Sequence, residues 1–71
     1  MKLSARNQLK GTVVSIKEGA VNGIVAVDIG GGNKISATIS MDAIRELGLA
    51  VGRPAYAVIK ATSVMIGIDD E

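Results

Sequence analysis

From Leu9 to Ile16 the chain is dominated by β-branched residues: Thr12, Val13, Val14 and Ile16. Such side chains suit a pleated strand better than a helix. Gly11 interrupts the run, where a bulge or a close backbone approach is expected. Lys17-Glu18-Gly19-Ala20 reads as a turn, and a second strand is predicted from about Val21 to Ile29. Val21, Val25, Val27 and Ile29 mark one of its faces, yet Ile24 and Ala26 make the other partly apolar. A small antiparallel sheet ordinarily leaves one face polar, so this strand asks for cover on both sides.

Gly30-Gly31-Gly32-Asn33 is a hairpin loop, because Gly and Asn accept the positive φ of tight turns. No Gly-Lys-Ser/Thr follows it, which argues against a phosphate-binding loop. Lys34 to Ser40 alternates Ile35, Ala37 and Ile39 with Ser36, Thr38 and Ser40, the mark of a strand with one wet face. Ser40 then caps a short helix from Met41 to about Leu47, with Asp42 in its first turn. Ile39 and Ile44 stand at the two positions of a hydrophobic staple. Gly48 is placed to end the helix. Val51-Gly52-Arg53-Pro54 turns into a fourth strand, Ala55 to Lys60. A polar break, Ala61-Thr62-Ser63, separates it from a fifth, Val64 to Ile68, and Asp69-Asp70-Glu71 forms a frayed acidic tail.

The predicted order is three strands, a helix and two strands. That order predicts an all-β fold with one short helix, the OB-like five-stranded Greek-key barrel. The whole chain, 1–71, reads as a single domain. Its size sharpens the earlier hint from the second strand. A core of 71 residues seldom supplies more than about 3–5 kcal/mol, and without Cys or His the chain has no disulfide and no usual zinc site to add. Yet 48% of its residues are hydrophobic and only 21% are charged. Self-association is the expected remedy. The longest aliphatic-aromatic run, Ala55-Tyr56-Ala57-Val58-Ile59, is far too short to cross a bilayer. No segment reads as a signal peptide, so a cytoplasmic protein is expected.

Catalysis is poorly provided for. The commonest bases and nucleophiles, His and Cys, are absent. The carboxylates Glu18, Asp28, Asp42 and Glu46 lie in turns or on a helix face, and a hard-metal cage would need several clustered oxygen ligands. No enzyme is expected. Nucleic-acid binding is the default use of a bare OB barrel, through a basic groove with aromatic platforms. The net charge is only +1 and Tyr56 is the sole aromatic residue. Arg6, Lys10, Lys17, Lys34 and Lys60 could touch phosphates, but stacking platforms are missing, and this remains the alternative reading.

Two short polar clusters fit a different ligand. Ser4-Ala5-Arg6-Asn7 precedes the first strand, and Lys60-Ala61-Thr62-Ser63 follows the fourth. Each supplies a cation, at least one hydroxyl and backbone N–H groups, and neither contains a carboxylate. A small tetrahedral oxyanion needs donors only. With no carboxylate acceptor in either cluster, the set favours a fully deprotonated dianion such as molybdate, tungstate or sulfate over protonated phosphate. Read without a ligand, the same residues are a frayed N-terminus and a plain turn.

Ser4-Ala5-Arg6-Asn7-Gln8-Leu9-Lys10-Gly11, Gly19-Ala20-Val21-Asn22 and Ile59-Lys60-Ala61-Thr62-Ser63-Val64-Met65 together resemble the molbindin (Mop-type) family of molybdate-binding domains. The likeness covers essentially the whole chain, the helix included. It implies an OB-like fold and a cytoplasmic homohexamer built as a trimer of dimers. It implies molybdate, or its congener tungstate, as the bound ion, in a storage or homeostasis role. No residue is implied as a direct ligand of the metal. One kind of site would bring Ser4, Ala5, Arg6 and Asn7 together with Lys60, Ala61, Thr62 and Ser63 from different subunits. The other would gather Gly19, Ala20, Val21 and Asn22 at a threefold axis, where backbone donors surround the anion. Similar domains occur fused to transporters and transcription factors, so a regulatory oxyanion-sensing module is a further reading. No nucleic-acid or membrane partner is expected.

Overall fold

The computed structural model describes residues 1–70; Glu71, the last residue of the acidic tail, lies outside the described residues. Four strands form the sheet: β1 (Asn7–Lys17), β2 (Asn22–Gly30), β3 (Asn33–Ser40) and β4 (Pro54–Ile59). Their spatial order is β3-β2-β1-β4, and every pairing is antiparallel. One helix, α1 (Met41–Glu46), lies between β3 and β4, and a 3₁₀ turn (Ala61–Ser63) follows β4. Among the described residues no helix is long and apolar enough to cross a membrane.

β1 is long because it serves two partners. Asn7 to Thr12 pairs with β4, and Thr12 to Lys17 pairs with β2. The register with β2 slips between Val13 and Ser15, leaving Val14 as a bulge. A bulge adds twist and bend, and the sheet curls into a half-barrel. Of the two features expected at Gly11, the bulge sits at Val14 and the close approach is at Gly11 itself: a Cβ there would overlap the Asp28 carbonyl oxygen.

The bulge also reverses which side chains of β1 face inward. Before it, Val13 pairs with Val27, and both are buried; after it, Ile16 pairs with Val25 and packs against the core. Val13, Val25, Val27, Met41 and Ile44 make that core, with Ile16, Ile29, Ile39, Leu49 and Ala55 around it. Gly23 lets the helix come down on β2, since an added Cβ would stand 2.7 Å from Ile44 Cδ1 and 2.9 Å from Met41 Sδ. Val21, expected on the inner face of β2, is 73% exposed in the turn before it.

The loop and cap chemistry expected from sequence is present. Gly30 pairs with Asn33, and Gly31 and Gly32 both have positive φ, as a tight two-residue hairpin turn requires. The Ser40 Oγ accepts from the Ala43 N–H at 3.0 Å. The helix ends at Glu46 with two backbone bonds, Gly48 N–H to Arg45 O and Leu49 N–H to Ile44 O, each at 3.1 Å. This is the Schellman pattern, and Gly48 holds its left-handed position at φ 63°.

The fifth strand is where the structure departs from expectation. Residues 64–68 have no ladder partner, and Met65, Ile66 and Ile68 are 92%, 88% and 91% exposed. Within one chain the barrel is therefore four-stranded and open. Alternating apolar residues make a segment fit to be a strand but do not choose its partner. The gap between β3 and β4 is a cavity of about 760 Å³, lined by residues that include Val27, Ile35, Ile39, Leu49, Ala57 and Ile59. Among the described residues no charged side chain lines it.

Candidate oxyanion site

The first polar cluster is positioned by the β1–β4 ladder. Asn7 pairs with Ile59, the last rung, so the residues just outside the ladder are Arg6 on one strand and Lys60 on the other. The Asn7 side-chain amide donates to the Ile59 carbonyl at 3.3 Å, tying the two segments together. Gln8 Nε2 donates to the Ala5 carbonyl at 2.8 Å and folds the N-terminal stretch against the strand. On the other side, Ser63 N–H bonds to Lys60 O at 2.9 Å and Val64 N–H to Ala61 O at 3.3 Å. This single turn holds Thr62 and Ser63 beside Lys60. Ser4 and Arg6 are exposed, as are Lys60, Ala61, Thr62 and Ser63; Ala5 and Asn7 are half-buried.

Among the described residues, the one ion pair in the chain joins Arg45 to Asp42, on the helix. Arg6 and Lys60 thus stand at one end of one ladder, with no carboxylate of the described residues bonded to either. The structure brings the two clusters to the same end of β1 already within one chain. Asn7, however, is partly committed to the backbone.

The second set of residues lies at the opposite end of β1. At about 3.3 Å per residue, the 11 residues of β1 hold the two ends roughly 33 Å apart. Gly19, Ala20 and Val21 form the β1–β2 turn and Asn22 opens β2. Gly19 is required by the tightness of that turn, since an added Cβ would overlap the Asn22 carbonyl oxygen. The turn is anchored from below by the Met41 N–H, which donates to Val21 O at 2.8 Å. Beside it lies an open cavity of about 300 Å³ lined by Lys17, Glu18, Gly19, Asn22, Gly23, Ile24 and Thr38.

Sequence reasoning named Gly19 and Asn22 there, treated Lys17 and Glu18 as turn residues with Lys17 also among the cations able to touch phosphates, and did not single out Thr38. Lys17 pairs with Ile24, and Ile24 with Thr38, in one cross-strand row. Without the bulge at Val14, Ile16 would hold that place. Nothing in the local sequence announces a bulge at a Val-Val pair.

The chain as a whole was then compared with known proteins. The TOBE domain model matches residues 3–66. The chain belongs to the TOBE domain family. A relative from Haemophilus influenzae, a probable molybdenum-pterin-binding protein, is 65% identical over 69 residues, spanning 97% of this chain and 100% of its own length. Among solved structures, MopII from Clostridium pasteurianum superposes with a TM-score of 0.88 at 51% identity, over 94% of this chain and 100% of MopII. The cytoplasmic molybdate-binding protein ModG, in a form with molybdate bound, superposes with a TM-score of 0.90 at 46% identity. That match covers 97% of this chain and 49% of ModG. The Mop-type resemblance read from the paired clusters is thereby established, and the half-barrel is a TOBE half-barrel.

Proposed function

We infer that this TOBE chain binds molybdate, or its congener tungstate, as a non-catalytic protein of the cytoplasm that stores or buffers the ion. One observation carries the reading. The β1–β4 ladder sets Arg6 and Lys60 at the same end of the sheet, with Ser4, Thr62 and Ser63 beside them and no carboxylate bonded to either cation among the described residues. Cations and hydroxyls with no carboxylate beside them suit a dianion that carries no proton. The relatives' association with molybdenum and molybdate supports the same ligand.

The working form is a homohexamer, a trimer of dimers, with the anion held between subunits. Two features of the single chain support assembly. The apolar gap between β3 and β4 is open, and residues 64–68 present exposed Met65, Ile66 and Ile68. A second copy provides cover for both. Ser4, Ala5, Arg6 and Asn7 of one subunit then face Lys60, Ala61, Thr62 and Ser63 of another. The Gly19, Ala20, Val21 and Asn22 turns meet at the threefold axis, where the exposed Val21 tips are covered. Sites shared by subunits exist only in the assembly, so anion binding stabilises it. The nucleic-acid reading has only Lys10 Nζ, 6.0 Å from the Tyr56 ring centroid, behind it, and one such pair is no stacking groove.

Titration calorimetry against molybdate, tungstate and sulfate, with native mass spectrometry, tests this. Saturable binding of molybdate and tungstate to a hexamer, with sulfate much weaker because its smaller radius lengthens the donor distances, is expected. A monomer that gives no heat with molybdate overturns it.

A further inference from the structure

Two side-chain amides stand where the first polar cluster meets β1, and each holds the carbonyl that immediately precedes a cation. Asn7 Nδ2 donates across the ladder to Ile59 O at 3.3 Å, and the next residue on that strand is Lys60. Gln8 Nε2 donates back along its own chain to Ala5 O at 2.8 Å, and the next residue is Arg6. A peptide unit is planar, and in the trans form its N–H points opposite to its carbonyl; the described residues contain no cis bond. Bonding the Ala5 carbonyl therefore fixes the whole Ala5–Arg6 unit, and with it the direction in which Arg6 leaves it. The same holds for the Ile59–Lys60 unit.

The two units differ in what else holds them. Ile59 is paired in the ladder, and Lys60 is tied further by the Ser63 N–H bond to its carbonyl. The stretch from Met1 to Arg6 precedes β1, bends at Ser4 and again at Arg6, and has no ladder partner. Among the described residues its one side-chain hydrogen bond is the one from Gln8. Gln8 pairs with Val58 and is exposed. An exposed amide has water to bond, so turning back onto Ala5 adds little to stability; what it adds is an arm already folded when an ion arrives. We propose that Gln8 is a positioning residue of the oxyanion site: its amide holds the Ser4–Arg6 arm in place before the ion binds, without touching the ion. This rests on the molybdate reading above and adds to it a residue outside both donor clusters. An arm folded only part of the time raises the apparent dissociation constant by the inverse of the folded fraction, whatever the ion. A residue in contact with the ion alters molybdate and sulfate unequally; a residue that sets the folded fraction alters both by one factor.

Gln8→Met keeps the length of the side chain and removes the donor, and provides the test in the whole protein. Backbone amide relaxation by NMR, without anion, reads the arm; titration with molybdate and sulfate reads the site. In the wild type Ser4, Ala5 and Arg6 should have order parameters near the rigid value of about 0.85, falling below about 0.6 in Gln8→Met protein. The same variant should bind molybdate and sulfate more weakly by one common factor, about three- to tenfold, with the melting point of the anion-free protein unchanged. Gln8→Glu, whose ionised carboxylate only accepts hydrogen bonds, should loosen the arm as well. Gln8→Met added to Arg6→Ala should cost little more than Arg6→Ala alone, because the arm then has no cation to place. An arm equally ordered in wild-type and Gln8→Met proteins overturns the proposal, and so does full molybdate affinity with a loosened arm. Unequal losses for molybdate and sulfate overturn it by making Gln8 a ligand. A wild type that binds no molybdate refutes the functional reading instead, and the relaxation comparison then decides by itself whether Gln8 holds the arm.

Discussion

Removing either cation from the first cluster, by Arg6→Ala or Lys60→Ala, should weaken molybdate binding without disturbing the fold. Both side chains are exposed, and neither forms an ion pair with the described residues. Surface changes of that kind usually shift stability by less than about 0.5 kcal/mol, so the anion-free proteins should melt within a few degrees of the wild type. Binding is different. A hydrogen bond to a charged partner contributes about 1.5–3 kcal/mol, and each 1.4 kcal/mol is about tenfold in affinity. Each variant should thus lose about one to two decades. In the proposed assembly Arg6 of one subunit and Lys60 of another hold one ion, so the double variant should be non-additive. Ligand at about a hundredfold over its dissociation constant stabilises the wild type by about 2.7 kcal/mol per site. Melting curves with and without molybdate should therefore show a large rise for wild type and a much smaller one for either variant. A rise that remains would report the proposed turn site. Full affinity and full stoichiometry in hexameric Arg6→Ala and Lys60→Ala proteins would refute the reasoning, because the two clusters would then be ordinary surface.

Ser63→Ala removes a neutral donor and should lower molybdate affinity by only about 0.5–1.5 kcal/mol, placing its melting shift between those of wild type and Lys60→Ala. Ser40→Ala deletes the helix cap bonded to the Ala43 N–H; it should destabilise the protein by about 1 kcal/mol, read as a lower denaturant midpoint with unchanged anion binding per folded protein. Gly23→Ala drives a methyl group toward Ile44 Cδ1 and Met41 Sδ and should destabilise by about 1–3 kcal/mol. A Gly23→Ala protein as stable as wild type in urea would show that the helix does not press on β2 there.

Much of the chain is determined locally, and the sequence by itself was enough for it. Ile35, Ala37 and Ile39 alternate with polar residues, so β3 has one wet face whatever surrounds it. Ser40, Asp42 and Gly48 mark the helix ends because their bonds and dihedrals involve only neighbouring residues. The Gly-rich hairpin is fixed by the φ values that only such residues adopt easily. The likeness of the paired clusters to the Mop type is also written in the sequence. What the tertiary structure decided is every property that depends on which segments lie side by side. Pairing of Asn7 with Ile59 is what brings Arg6 and Lys60 to one end of the sheet; 53 residues of sequence separate them, and no local pattern records the ladder. The bulge at Val14 turned Ile16 inward and Lys17 toward Ile24 and Thr38, because a one-residue slip exchanges the two faces of a strand. The segment from Val64 to Ile68 shows the same limit from the other side. Its alternation makes it a competent strand, but a strand needs a partner edge, and the described residues of one chain offer it none.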